Sequence, residues 1–157
     1  MTDPDYKLLD SQLRALLADE TDALASASNF VALLYNAMDD INWLGIYVLR
    51  GAELVLGPFQ GKPACVHIDI GAGVCGTAAA TLQTQRVADV HQFEGHIACD
   101  ADSRSEVVVP LISNGHLIGV LDIDSPTPDR FADTDQLGIE KLCASFCELQ
   151  DSRNSFI

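Results

Sequence analysis

Apolar residues recur along the chain with two periods, one typical of amphipathic helices and one typical of strands. Apolar residues at helical spacing, or signals for a helix start, mark four stretches: residues 5–18, 22–38, 71–83 and 134–150. Strand-like runs lie between them: residues 41–50, 52–59 and 64–70, a run that starts at 85, and a hairpin over 105–124. This order predicts an α+β fold in which helices pack on a mostly antiparallel central sheet.

The same division predicts the domain organisation. We expect residues 1–157 to form one domain, with N-terminal helices in 1–39, the sheet and its loops in 40–130, and a C-terminal helix in 134–151. A chain of 157 residues is long enough to bury one sizeable core. Residues 90–104 lack apolar periodicity and are predicted to form a loop that leads into the hairpin.

The hairpin has a turn signal and a clear apolar face. A three-residue loop over residues 113–115, with Gly115 in the left-handed conformation, would pair Val107 with Leu121. In that register the alternating apolar residues of both strands would all lie on one buried face. A two-residue Asn-Gly turn would shift every partner by one, which the hydrophobic pattern disfavours.

The opposite face of the hairpin would carry a cluster of acids. The favoured register sets Glu106 directly across from Asp122, with Asp124 two residues further along the strand. Facing carboxylates repel each other, by about 0.2–1 kcal/mol per pair when they are solvated and by more when they are buried. Three interpretations follow from the pattern: a solvated outer face, a Ca²⁺ or Mg²⁺ site, or a site for a bound ammonium group.

Composition narrows the classes of function and of location. Hydrophobic residues make up 48% of the chain and charged residues 20%, which is typical of a folded globular protein. The net charge of −14 disfavours nucleic-acid binding and suits a small cationic or zwitterionic ligand. With no signal peptide and no apolar run of spanning length, we expect a cytoplasmic protein without membrane contact. Five cysteines, an odd number, argue against a secreted disulfide framework.

The cysteines differ in their expected reactivity. Cys75 follows a glycine-led helix start, where the helix dipole favours a thiolate, so it is predicted to be the best activated. Cys143 and Cys147 lie one turn apart on the last helix and are predicted to pack in the core. Cys99 has four acids near it in the sequence: Glu94, Asp100, Asp102 and Glu106. Negative neighbours disfavour a thiolate, so either Cys99 is inert or these acids serve another purpose.

A zinc site is the alternative use of the cysteines. Cys65, His67, His96 and Cys99 could together supply four ligands, and a strand would put the first two on one face. No C-x-x-C motif supports this arrangement. We therefore predict neither a metal nor a cofactor.

Six segments of the chain resemble the free methionine-(R)-sulfoxide reductases, which are single GAF-type domains. The resemblance covers roughly residues 40–145. It lies in WLGIYV (43–48), LVLGPFQGKPACV (54–66), GVCGTAA (73–79), DVHQFEGHIACD (89–100), SEVVVPL (105–111) and IGVLDIDS (118–125). Three placed cysteines combined with DVHQFEGHIACD make the resemblance specific.

The resemblance implies an enzyme that reduces the R epimer of free methionine sulfoxide and is restored by thioredoxin. Cys99 would be the attacking thiol and would become a sulfenic acid. Cys65 would be the resolving thiol that closes a disulfide, with Cys75 as an alternative partner. A homodimer is also implied.

The resemblance also implies a substrate site. Glu106 would hydrogen-bond the sulfoxide oxygen, and Asp122 and Asp124 would hold the substrate ammonium. Trp43 and Tyr47 would line an apolar wall for the thioether end, with plain core packing as the alternative. Crowding by carboxylates would raise the pKa of Glu106, so that this acid stays neutral and can donate a hydrogen bond.

The segment between Cys65 and Cys75 departs from the family pattern. The family usually has Arg in place of His67, Pro in place of Asp69 and a basic residue in place of Ala72. The departures remove positive charge close to the resolving thiol.

A binding module is the rival function. GAF-type domains also bind small ligands or sense redox state, and the architecture alone does not specify an enzyme. The rival predicts affinity for a ligand without its consumption.

Overall fold

The computed structural model describes residues 3–97, 99, 101–150 and 156–157. These residues contain four α-helices: α1 (Tyr6–Leu17), α2 (Ala23–Ala37), α3 (Gly73–Thr81) and α4 (Asp133–Gln150). They also contain six strands: β1 (Trp43–Arg50), β2 (Glu53–Gly61), β3 (His67–Asp69), β4 (Gln85–Val87), β5 (Ser105–Ser113) and β6 (His116–Ser125). β3 is shorter than the predicted run of 64–70, because its pairing with β2 covers residues 67–69 alone.

The strands form one antiparallel sheet in the order β3-β2-β1-β6-β5-β4. The long strands β1, β6 and β5 therefore lie side by side in the middle of the sheet. This arrangement confirms the predicted α+β fold with an antiparallel centre. None of the described helices is both long and apolar enough to cross a membrane.

Helices cover both faces of the sheet. α1, α2 and α4 pack on one face over the main core, in which the rings of Phe30 and Phe146 stack at 4.7 Å. Cys143 and Cys147 are buried in that core, as predicted. α3 packs on the opposite face over a smaller cluster. The acids of the hairpin lie on this second face.

The hairpin turn differs from the predicted three-residue loop. Ser113 pairs with His116, so the turn has two residues, Asn114 and Gly115. Both have positive φ, 51° and 77°, as a turn that matches the twist of the strands requires. The Asn-Gly signal therefore outweighed the register that the hydrophobic pattern favoured.

A bulge restores the apolar face that this turn would otherwise disrupt. Ile112 pairs with Leu117, whereas Leu111 pairs with Gly119, so Ile118 is an extra residue in β6. A two-residue turn alone would turn the apolar residues of one strand outward. The extra residue shifts the register by one more position, and the apolar side chains return to the core face.

Candidate active site

Three acidic side chains of the hairpin lie on the sheet face that α3 covers. Glu106 of β5 pairs with Asp124 of β6, and Asp124 pairs on its other side with Trp43 of β1. Asp122 pairs with Gly45 in the neighbouring row. The predicted pairing of Glu106 with Asp122 was wrong, because the turn and the bulge together shift the register by two. An even shift keeps side chains on the same face, so the three acids still share one.

All three acids are buried. The exposed fraction is 5% for Glu106, 6% for Asp122 and 9% for Asp124. The interpretation as a solvated outer face is therefore wrong. Burial of a carboxylate is costly unless it is protonated, hydrogen-bonded or paired with a cation.

Burial and mutual repulsion shift the protonation of this cluster. Burial first, then the charges of Asp122 and Asp124, raise the pKa of Glu106 well above its ordinary value. Burial raises the pKa of Asp122 to about 6. Because close carboxylates do not all ionise together, Glu106 is the member that keeps its proton at neutral pH. Oδ1 of Asp122 is buried without a hydrogen-bond partner, so it offers an acceptor to a cationic group.

Trp43 and Tyr47 form an apolar wall beside the acids. Their exposed fractions are 3% and 2%, and their ring centroids are 5.9 Å apart. Gly45 lies between them in the strand, and a Cβ there would come within 2.5 Å of the Trp43 ring. The indole Nε1 donates a hydrogen bond of 3.0 Å to the carbonyl of Lys62. The glycine and this bond together fix the ring against the floor of the site.

α3 places a thiol beside the acids. Cys75, in the first turn of α3, has its Sγ 4.0 Å from Oε1 of Glu106. Burial first, then the charges of Asp122 and Glu106, raise the pKa of the Cys75 thiol well above its ordinary value. The predicted activation of Cys75 was therefore wrong, because burial among carboxylates outweighs the helix dipole.

A disulfide joins Cys65 to Cys99. Their Cα atoms are 5.6 Å apart although 34 positions separate them in the sequence. The bond links the segment after β2 to the loop that precedes β5. Cys75 remains a free thiol. Both bridged cysteines are half-buried, so the disulfide is within reach of solvent.

In this disulfide form the zinc site that the sequence offered as an alternative cannot form. With Cys65 and Cys99 bonded to each other, neither sulfur is available as a thiolate ligand. His67 points away to the surface, where its Nδ1 lies 3.1 Å from Oε1 of Glu53. The four residues therefore do not form a metal site.

The two linked segments lie over a cavity of about 50 Å³. The candidate site residues that line this cavity are Trp43, Tyr47, Cys75, Cys99, Glu106, Asp122 and Asp124. Cys65 is joined to the cavity through its bond to Cys99. Residues that are far apart in the sequence thus converge on one hollow.

The acids that are close to Cys99 in the sequence have different roles in the fold. Glu106 lines the cavity, whereas Asp102 accepts a hydrogen bond of 2.7 Å from Nζ of Lys62. Glu94 is exposed, and Asp100 lies outside the described residues. Fewer of these acids lie beside Cys99 in the fold than their closeness in the sequence suggested.

His96 is a site residue whose position the sequence did not indicate. Its Nε2 lies 3.9 Å from Oε2 of Glu106, and its side chain is 17% exposed. Burial, followed by the charge of His91, lowers the pKa of His96, so its imidazole is neutral at neutral pH. The only sequence signal was its place three residues before Cys99, which suggested a zinc ligand instead.

Comparison with known proteins agrees with this geometry. The GAF domain family matches residues 12–149. The free methionine-R-sulfoxide reductase of Escherichia coli is 55% identical over 88% of this chain and 84% of its own length. The structure of fRMsr of Staphylococcus aureus in complex with substrate has a TM-score of 0.90 at 52% identity, and the match covers 95% of this chain and 97% of that one. The substrate complex of free methionine-R-sulfoxide reductase from Neisseria meningitidis has a TM-score of 0.88 at 43% identity, with 92% and 87% covered. The chain therefore belongs to the free methionine-R-sulfoxide reductases, a family of oxidoreductases built on the GAF domain.

Proposed function

We propose that this chain reduces free L-methionine-(R)-sulfoxide to methionine and that Cys99 is the attacking thiol. The observation that carries the proposal is the Cys65–Cys99 disulfide beside a cavity lined by three buried carboxylates. The E. coli relative bears the name of this activity, and the S. aureus and N. meningitidis structures hold their substrates.

The acids explain why the substrate would be a free amino acid. Asp122 and Asp124 would hold its ammonium group, and the orphaned Oδ1 of Asp122 is a ready acceptor. A methionine sulfoxide within a polypeptide lacks that charged group and would leave Oδ1 of Asp122 unmatched in a buried site. An unmatched buried polar group costs about 1–3 kcal/mol, so the site discriminates against protein-bound substrate.

The aromatic wall would hold the other end of the substrate. Trp43 and Tyr47 present apolar ring surface to the cavity beside the acids. The methyl and thioether carbons would pack on these rings, with the ammonium group at the opposite side. This orientation directs the sulfoxide group toward Cys99 and Glu106.

The first chemical step would transfer oxygen from the substrate to Cys99. Glu106, which burial keeps protonated, hydrogen-bonds the sulfoxide oxygen and makes the substrate sulfur more electrophilic. The Cys99 sulfur attacks, the substrate S–O bond breaks, and the products are methionine and the sulfenic acid of Cys99. The substrate sulfur gains two electrons and the cysteine sulfur loses two.

The second step would regenerate the thiols. The Cys65 thiol attacks the sulfenic sulfur, a disulfide forms and water leaves. The pairing of Cys65 with Cys99 supports Cys65 over Cys75 as the resolving thiol. Thioredoxin then reduces the disulfide by two thiol–disulfide exchanges and becomes oxidised itself. We place the reaction in the cytoplasm, where thiols are kept reduced, and propose a homodimer.

A coupled assay tests the activity. Thioredoxin, thioredoxin reductase and NADPH are supplied with the separate R and S epimers of free methionine sulfoxide. We expect NADPH consumption with the R epimer alone. Binding of the R epimer without consumption would support the rival sensory module instead.

A further inference from the structure

The cavity gathers one sulfur and two carboxylates as a set of metal donors. Sγ of Cys75 and one carboxylate oxygen each of Glu106 and Asp122 all lie within 4.8 Å of one another. All three residues are buried, with exposed fractions of 5%, 5% and 6%. Atoms this close to one another can reach a single ion with small side-chain movements, since Zn–S bonds are about 2.3 Å long and Zn–O bonds about 2.0–2.2 Å.

A second observation points to a cationic ligand at this place. Oδ1 of Asp122 is buried and has no hydrogen-bond partner, although Asp122 lines the cavity. A buried acceptor of this kind is rare, and a bound cation would satisfy it. The imidazole of His96 lies nearby, with its Nε2 3.9 Å from Oε2 of Glu106.

We propose that Zn²⁺, or another divalent ion that accepts sulfur ligands, binds in this cavity on Cys75, Glu106 and Asp122. Oxygen ligands alone would suit Ca²⁺ or Mg²⁺, but a thiolate among the ligands favours zinc. Binding forms bonds from the metal to the Cys75 sulfur and to carboxylate oxygens of Glu106 and Asp122, and it releases the protons of the Cys75 thiol and the Glu106 carboxyl group to solvent. The ion brings two positive charges to a site that otherwise crowds negative ones.

The ion regulates the site by competition. Glu106 and Asp122 are both metal ligands and, under the proposed function, substrate contacts, so metal and substrate exclude each other. This consequence rests on the proposed function, whereas the binding of the metal does not. A chelator removes the ion and restores the substrate site.

The disulfide form of the protein allows a direct test of metal binding. Cys65 and Cys99 are bonded in this form, so the thiols of the described residues that remain are Cys75 and the core pair Cys143 and Cys147. Co²⁺ is titrated as a spectroscopic probe, and Zn²⁺ is titrated by calorimetry. We expect one ion per chain and a sulfur-to-cobalt charge-transfer band.

Matched variants identify the ligands. The Cys75→Ala change should abolish the cobalt band, and Glu106→Gln should weaken zinc binding by at least about tenfold, because loss of a direct ligand costs no less than loss of a group that supports one. The paired control Cys143→Ala/Cys147→Ala should keep both the band and the affinity. The absence of metal binding, or loss of the band in the control instead, overturns the proposal. Glu106→Gln preserves shape, so it decides the matter if Cys75→Ala does not fold.

A competition titration separates this proposal from the proposed function. Free methionine-(R)-sulfoxide should raise the apparent dissociation constant of zinc in proportion to its concentration. Metal binding without any effect of the sulfoxide would contradict the shared site. Failure of the R epimer to turn over in zinc-free buffer would contradict the proposed function and leave the cobalt result intact.

Discussion

The hydroxyl group of Tyr47 donates a hydrogen bond of 2.8 Å to the backbone carbonyl of Cys65. A side chain of the cavity wall thus holds the segment that carries the proposed resolving thiol. The contact joins the proposed substrate site to the segment that carries the Cys65–Cys99 disulfide.

Removal of this hydroxyl should slow closure of the disulfide. In Tyr47→Phe the segment around Cys65 loses one hydrogen bond worth about 0.5–1.5 kcal/mol, so resolution of the sulfenic acid should slow by about 2–10-fold. Rapid-quench trapping with dimedone should detect more sulfenic acid on Cys99 than in the wild type. Tyr35→Phe, which removes a hydroxyl on α2, is the control. Equal trapping in all three proteins would contradict an anchoring role.

Loss of one buried acid should weaken recognition of the free amino acid. The Asp122→Asn variant loses a charge-assisted contact of about 1.5–3 kcal/mol, so KM for the R epimer should rise about 10–100-fold. We expect the N-acetylated sulfoxide to be a poor substrate of the wild type and to be affected much less by the substitution. Asp69→Asn, an exposed acid on β3, should leave both KM values unchanged. A similar loss with both substrates would argue against an ammonium contact.

Substitution of Glu106, the proposed proton donor, should lower turnover and raise the melting temperature at pH 8. The folded protein holds the proton of Glu106 to higher pH than the unfolded chain does, so this group contributes less stability as pH rises through its raised pKa. The Glu106→Gln variant in the disulfide form should melt about 2–4 °C above the wild type at pH 8. The difference should shrink as pH falls below about 4, where the carboxyl group is protonated in both states. Turnover should fall about 10²–10⁴-fold.

Glu94→Gln is the control for this stability measurement, because Glu94 is exposed. Its melting temperature should follow that of the wild type at each pH. A Glu106→Gln protein that is destabilised at pH 8, or that keeps full turnover across the pH range, would refute the role of a neutral buried acid.

Two exposed apolar residues beside the disulfide should affect its reduction by thioredoxin but not its reduction by a small thiol. Val66 and Ile97 lie next to the bridged segments and are 51% and 39% exposed. A charge in Val66→Glu should raise KM for thioredoxin about tenfold, as loss of a key interface contact does. Turnover driven by dithiothreitol should stay unchanged, because a small thiol needs no docking surface. Leu137→Glu, on α4 across the sheet, is the matched control, and an equal effect there would contradict docking beside the disulfide.

The positions of the elements could be predicted from the sequence, but the register of the hairpin could not. Apolar periodicity decides which face of a strand is buried. An even shift in pairing leaves the same side chains on that face, so it does not change this prediction. The turn at Asn114 and the bulge at Ile118 each shift the register by one residue. The sequence showed the turn signal but not the bulge, because Ile118 has an apolar side chain that fits the pattern either way.

Residues that line the cavity could be named from the resemblance, but their environments could not be predicted from the sequence. Cys75 has a local signal for activation, whereas its actual pKa depends on acids more than thirty positions away. His96 approaches Glu106 only because the loop folds back over the sheet. Burial and charges from distant parts of the chain set the pKa values of such groups, and neither can be predicted from the spacing of neighbouring residues.

In the mechanism that we propose, Cys99 takes the oxygen and Cys65 closes the disulfide. This mechanism is tested most directly by a single turnover of the fully reduced protein with the R epimer and no reductant, followed by peptide mapping. We expect about one methionine per chain and a new bond between Cys65 and Cys99. No methionine, or a bond from Cys99 to Cys75 instead, would contradict it.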